Sequence, residues 1–128
     1  MKIEKNILHL IDEWNNALQT RNPDEVMKLY DKKAVLLPTF SCRVRHNPEE
    51  IRDYFIHFLT KGPVCSVEET TIHKFGNTAM ISGIYAFTYQ TEPALIQRAR
   101  FTFVYHKTKD RWLIVEHHSP VCRKRIDN

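Results

Sequence analysis

Glycine is scarce in this chain, with 3 in 128 residues, and proline is limited to 6. That excludes a collagen-like or low-complexity chain. Cysteine is scarce too. Cys42, Cys65 and Cys122 are an odd number without C-x-x-C spacing. Neither a disulfide framework nor a zinc cluster is expected, and the thiols read as ordinary reduced side chains. No apolar run reaches the ~18 residues of a membrane span. The opening MKIEKNILHLIDEW carries acids inside its apolar pattern and lacks a small-residue cleavage site. It does not read as a signal peptide, so a cytoplasmic location is the default expectation. A Gly-rich phosphate loop, G-x-S-x-G and H-E-x-x-H are all missing. No metal and no cofactor is expected. The aromatics are not interleaved with a stripe of Lys or Arg, which argues against nucleic acid as a partner.

What is present suits one domain over residues 1–128, long enough to bury roughly two-thirds of its unfolded surface. Hydrophobic residues make up 42%, with 7 Phe, 5 Tyr and 2 Trp, which argues against disorder. The net charge is +4. Much of that excess lies in Arg123-Lys124-Arg125, which reads as a solvated tail.

The pattern changes near Gly62-Pro63, from helical to strand-like. Ile7, Leu10, Ile11, Trp14 and Leu18 form one face of a helix over about 4–21. Asn22-Pro23-Asp24-Glu25 opens a second helix, with Val26, Leu29 and Tyr30 on its apolar edge. Asn47-Pro48-Glu49-Glu50 opens a third, with Ile51, Tyr54, Phe55, Phe58 and Leu59. Between them, Ala34–Leu37 and Cys42–Arg45 read as a small hairpin or edge pair. Four strands follow, over about 66–75, 78–90, 95–106 and 111–121, joined by tight turns and therefore an antiparallel meander. The order α-α-β-β-α-β-β-β-β predicts an α+β domain with helices on one face of a curved antiparallel sheet.

Alternation places Ala99, Phe101, Phe103 and Tyr105 on one face, and Arg98, Arg100, Thr102 and Val104 on the other. In the last strand Trp112, Ile114, Glu116 and His118 oppose Leu113, Val115, His117 and Ser119. Neither face is cleanly polar. The surplus Phe101, Phe103, Tyr105, Trp112 and Ile114 needs a cover, and no further long helix offers one. A second copy over the outer face is the economical reading, with Glu116 and His118 in the same interface.

Arg98 and Arg100 point the same way. Inside a cavity they would form a bidentate site for a carboxylate or phosphate; on the surface they would pair with Glu68, Glu69 or Glu92. His117 and His118 face opposite ways, so they cannot chelate one metal together, and alternation alone does not say which points inward. An inward His117 is a candidate general acid or base. Asp31, expected at the end of the second helix, is the other catalytic candidate.

Five segments carry a resemblance: Leu29-Tyr30-Asp31, Val35–Thr39, Ile51–Phe55, Phe101–Tyr105 and Trp112–Ser119. Together they resemble the nuclear transport factor 2-like superfamily, its SnoaL-like group, and most closely the calcium/calmodulin-dependent protein kinase II association-domain branch. The resemblance implies a cone, with three N-terminal helices on a strongly curved, mostly antiparallel sheet. It also implies dimers through the outer sheet face, rings of dimers in the kinase branch, and a cavity whose arginines hold carboxylates. Arg52 matches an arginine on helix three, while Tyr85 and Ser119 stand where that branch carries arginine. The expected cavity set is Trp14, Tyr30, Arg52, Tyr54, Tyr85, Arg98, Arg100, Thr102, His117 and Ser119. The function implied is a stand-alone, self-associating domain with a small, carboxylate-bearing ligand. The alternative is an isomerase, cyclase or lyase, which needs a carboxylate base in the cavity.

Overall fold

The computed structural model describes residues 2–121; Cys122 and the basic run Arg123-Lys124-Arg125 lie outside it. α1 (Lys2–Gln19) buries the predicted stripe of Ile7, Leu10, Ile11, Trp14 and Leu18. α2 (Pro23–Met27) starts at Asn22, whose side chain accepts from Asp24 N at 2.9 Å. Glu25 turns to Lys28 Nζ instead of closing a capping box. α3 (Pro48–Phe58) starts at Asn47, which accepts from Glu50 N, while Glu50 accepts from His46 N. A 3-10 turn (Leu59–Lys61) ends at Gly62, whose φ of 61° is the left-handed cap expected of glycine.

The second helix is shorter than the sequence suggests. It ends at Met27, and the chain turns into β1 (Tyr30–Leu37). Tyr30 and Asp31 are therefore strand residues. Tertiary pairing overrides the helical pattern here, because Leu29 O already accepts from Ile114 N at 2.8 Å. The expected hairpin reduces to one bridge, Leu36 with Arg45. The order is accordingly α1-α2-β1-α3-β2-β3-β4-β5, with β2 (Pro63–Phe75), β3 (Thr78–Tyr89), β4 (Leu95–Thr108) and β5 (Arg111–His118).

Strand order is β1-β5-β4-β3-β2, antiparallel except for β1, which runs parallel to β5. Gly76-Asn77 makes the two-residue turn between β2 and β3. Besides an irregularity in β1 between Tyr30 and Val35, two bulges disturb the register. One lies between Val67 and Glu69 on β2. The other lies where Val104 pairs with Glu116 but Tyr105 pairs with Ile114. The extra residue, Val115, resets the alternation along β5. Ile114 and His117 thereby share the inner face, while Glu116 and His118 face outward and are exposed.

This register decides which face is the core. Ala99, Phe101, Phe103, Tyr105 and Ile114 are fully buried under the helices, with Tyr85 and Phe87 opposite. Trp112 packs against the same core from its edge. The assignment of Phe101, Phe103, Tyr105, Trp112 and Ile114 to an outer interface is therefore corrected. Alternation shows which residues share a face, and here the three helices take up the aromatic one.

Candidate functional site

Trp14 stands at the centre of the core, where α1 meets the inner face of the sheet. Its ring stacks on Tyr85 at 5.8 Å and meets Phe103 and His117 edge-on, each at 5.2 Å. Phe103 in turn stacks on His117 at 4.0 Å. Burying Trp, Tyr and His together requires partners for their polar atoms. The partners form one chain. Trp14 Nε1 donates to Tyr30 Oη at 3.2 Å, and Tyr30 Oη lies 2.8 Å from His117 Nδ1. His117 Nε2 lies 3.1 Å from Tyr85 Oη. Tyr85 then meets Ser119 Oγ, which meets Thr39 Oγ1 at 2.7 Å.

Indole only donates, which orients the chain. With Tyr30 accepting from Trp14 and donating to Nδ1, His117 carries its proton on Nε2 and donates to Tyr85. Tyr85 donates to Ser119, and Ser119 to Thr39. The reverse direction would leave the Tyr30 proton without an acceptor. Burial, with a smaller contribution from His118, pushes His117 down to about 3, so the ring is neutral near pH 7. Burial pushes Tyr30 and Tyr85 well above the usual phenol range, so both remain hydroxyls. His117 therefore has no free nitrogen to take a substrate proton.

The space beside this chain is small. A cavity of about 10 Å³ is lined by Trp14, Thr39, Tyr54, Tyr85, Phe87, His117 and Ser119, among others. That volume holds about one water. The cone interior is filled by its own aromatic side chains.

Six members of the expected cavity set thus come together: Trp14, Tyr30, Tyr54, Tyr85, His117 and Ser119. Four do not. Arg98 and Arg100 are exposed on the outer face of β4, Arg98 Nε holding Glu68 Oε1 at 2.9 Å. Thr102 pairs with His118 on that face. Arg52 is exposed on α3 and pairs with Asp24 at 2.8 Å, tying α3 to α2. A carboxylate site of Arg98 and Arg100 inside the cone is therefore corrected to an outer-face surface pair. Asp31 lies apart from His117. It accepts from Lys33 N at 2.9 Å and borders a surface concavity with Lys28, Lys32, Lys33 and Arg111.

One site residue, Thr39, and one buried cation outside the site, Arg45, escape the sequence reading. Thr39 ends the hydrogen-bonded chain, yet its segment reads only as a turn after Leu37-Pro38. Arg45 is 8% exposed, although its neighbours Arg43 and His46 are exposed. Its segment reads as a polar edge strand, which gives no reason to bury a guanidinium. Among the described residues, no group of three or more His, Cys, Asp or Glu could hold a metal ion, and no helix is long and apolar enough to cross a membrane.

The fold has clear relatives. A family model described as the calcium/calmodulin dependent protein kinase II association domain matches residues 3–122. A solved structure of a putative association domain of that kinase from Xanthomonas campestris is 39% identical. The match covers 94% of this chain and 88% of that one, with a TM-score of 0.90. A nuclear transport factor 2-like protein of unknown function from Pseudomonas putida, 15% identical, aligns over 98% of this chain and 91% of its own, with a TM-score of 0.82. A putative aromatic ring hydroxylase from Novosphingobium aromaticivorans, 16% identical, aligns over 92% and 87%, with a TM-score of 0.79. At such identities the last two show the fold alone. No curated protein matches the chain. The family match over nearly the whole length, together with the cone of helices on a curved sheet, shows that this chain belongs to the calcium/calmodulin-dependent protein kinase II association-domain family.

Proposed function

We propose that the chain is a self-associating domain that pairs with a second copy through the outer face of its sheet, as a dimer or a ring of dimers. One observation carries this reading. The outer face of β3, β4 and β5 presents Met80, Ile84, Val104, Leu113 and Val115, half-buried apolar side chains that no helix among the described residues covers. Arg98, Arg100, Glu68, Glu116 and His118 lie among them and supply both signs of charge. A two-fold axis lets such a face meet itself, cation against acid. Glu116 and His118 keep the interface role expected from the sequence. Membership of an association-domain family supports the same reading.

The interior supports no larger role for a ligand. The carboxylate-bearing molecule expected there has neither volume nor a cation, since the lining holds no Arg or Lys. An isomerase or cyclase needs a carboxylate in the cavity, and the lining holds none.

Native mass spectrometry at micromolar protein tests the proposal. The natural chain is expected as a dimer or larger ring. Val104→Glu puts an unpaired charge in the middle of the face and is expected to weaken association about 100-fold, leaving a folded monomer. A monomeric natural chain, or a Val104→Glu protein of unchanged mass, would sink the reading.

A further inference from the structure

A concavity of about 540 Å³ opens at the β1–β5 edge of the sheet, outside the filled interior. Its floor includes Met27, Tyr30 and Leu113, and its rim carries Lys28, Lys32, Lys33 and Arg111. We propose that this concavity docks an extended acidic segment of a partner protein, its carboxylates on the four cations and its apolar side chains on the floor. The inference does not depend on self-association. Of the side chains on the self-associating face, only Leu113 lines the concavity, so the two surfaces adjoin rather than coincide.

The backbone is irregular where it displays the lysines. Tyr30 pairs with Ile114 and Val35 with Glu116, so β1 advances five residues while β5 advances two. Asp31, Lys32 and Lys33 therefore arch out of the ladder, and Ala34 returns to the core. A regular strand would send one of two adjacent lysines toward the helices. The arch leaves both exposed beside one hollow, a re-aiming of side chains that bulged strands permit. Asp31 closes the arch by accepting from Lys33 N at 2.9 Å. Arg111 is held as well. Its Nη2 donates to Lys28 O at 3.0 Å, which ties the start of β5 to the end of α2.

The charge on this rim is not balanced from within. Lys32, Lys33 and Arg111 make no ion pair among the described residues, while Lys28 holds Glu25 at 2.9 Å. Asp31 is the one acid among the described lining residues. Cations gathered round one hollow repel one another, and acids on a partner relieve that repulsion. The cations stand on three segments: the end of α2, the arch and the start of β5. A lone inorganic anion would leave most of them unmatched and the floor bare. Nucleic acid would match the charge but finds no exposed ring in the lining to stack on, since Tyr30 is 6% exposed. Exposed lysines contribute little singly, so affinity needs the apolar floor too. A chain in which acids alternate with apolar residues satisfies both rim and floor.

Fluorescence anisotropy of the natural chain with a labelled nonapeptide of alternating glutamate and leucine tests this. The peptide is expected to bind with a Kd of about 10–100 µM at low salt, and at least about fivefold more weakly in about 0.5 M salt. A peptide with serine in place of leucine should also bind at least about fivefold more weakly. Lys33→Glu is expected to weaken binding of the leucine peptide about fivefold or more. Lys74→Glu makes an equal change of charge on β2, at the opposite edge of the sheet, and should weaken it less than about twofold. Lys33 and Lys74 are both exposed, so both variants should melt with the natural chain. Equal losses in the two variants would mean that net charge alone attracts the peptide, and would overturn the proposal. Equal affinity for the serine peptide, equal affinity for an RNA oligonucleotide of the same charge, or no saturable binding would overturn it as well. A lower native mass for Lys33→Glu would also overturn it, giving the rim to a contact between copies of this chain.

Discussion

Lowering the pH from 7 to 4 should remove about 3 kcal/mol of stability through one side chain, His117. In the unfolded chain its imidazole titrates near the ordinary histidine value of about 6.5. In the folded protein burial holds it at about 3. Between these values the unfolded chain binds the extra proton and the folded protein does not. Stability is therefore complete above pH 6.5 and declines as pH falls toward 3. The buried position leaves little solvent screening to discount. A loss of this size is a large share of a typical domain's 5–15 kcal/mol. Urea midpoints measured across this range at one protein concentration check the prediction. His117→Phe preserves the stack on Phe103 but removes a partner from Tyr30 and from Tyr85. It should lower stability by about 2 kcal/mol at pH 7 and flatten the slope between pH 6.5 and 4.5. An unchanged slope in that variant would assign the acid sensitivity to other groups. The exposed Asp24 and the half-buried Glu50, both held below the usual carboxylate range chiefly by hydrogen bonding, lose their contribution only at lower pH.

The second large effect is expected at Gly83. Its φ is 159°, and a Cβ there would run into the Glu69 carbonyl on the bulged turn of β2. The obstacle is backbone, so no rotamer change relieves it. Gly83→Ala must either undo the bulge or part β2 from β3, and a loss of about 3 kcal/mol or more is expected. Gly76 supplies the internal control. Its φ of 58° also favours glycine, but nothing lies within 4 Å of the position a Cβ would take. Gly76→Ala should cost about 1 kcal/mol. The two melting temperatures decide the matter, and equal shifts would mean that backbone conformation, not collision, makes Gly83 necessary.

Much of the fold was legible because its signals are local. Asn22-Pro23 and Asn47-Pro48 cap helices that start where the sequence places them, and Gly76-Asn77 turns β2 into β3. Helix one's apolar stripe is buried as read. What escaped depends on partners distant in sequence. Alternation along β4 separates Phe101 and Phe103 from Arg98 and Arg100, yet says nothing of which set meets the helices. The bulge at Val115 is set by β4, and it alone puts Ile114 and His117 on the same side. Tyr30 reads as helix from its neighbours and becomes strand because β5 is waiting for it. The candidate site was legible to the same degree. Trp14, Tyr30, Tyr54, Tyr85 and Ser119 were expected inside, while Thr39 and the buried Arg45 were not, because a buried guanidinium follows from where α3 happens to pack.

The parallel strand at the sheet's edge also orders events in time. β1 belongs to the first third of the chain, but apart from the single bridge to Arg45 it pairs with β5, and Tyr30 meets His117 across 87 residues. Until β5 has emerged from the ribosome, β1 has unpaired backbone groups and α1 lacks the inner face that buries Trp14. Such long-range closure slows folding and exposes apolar surface meanwhile. Closure of the sheet around α1 is thus expected to wait until the last strand is made.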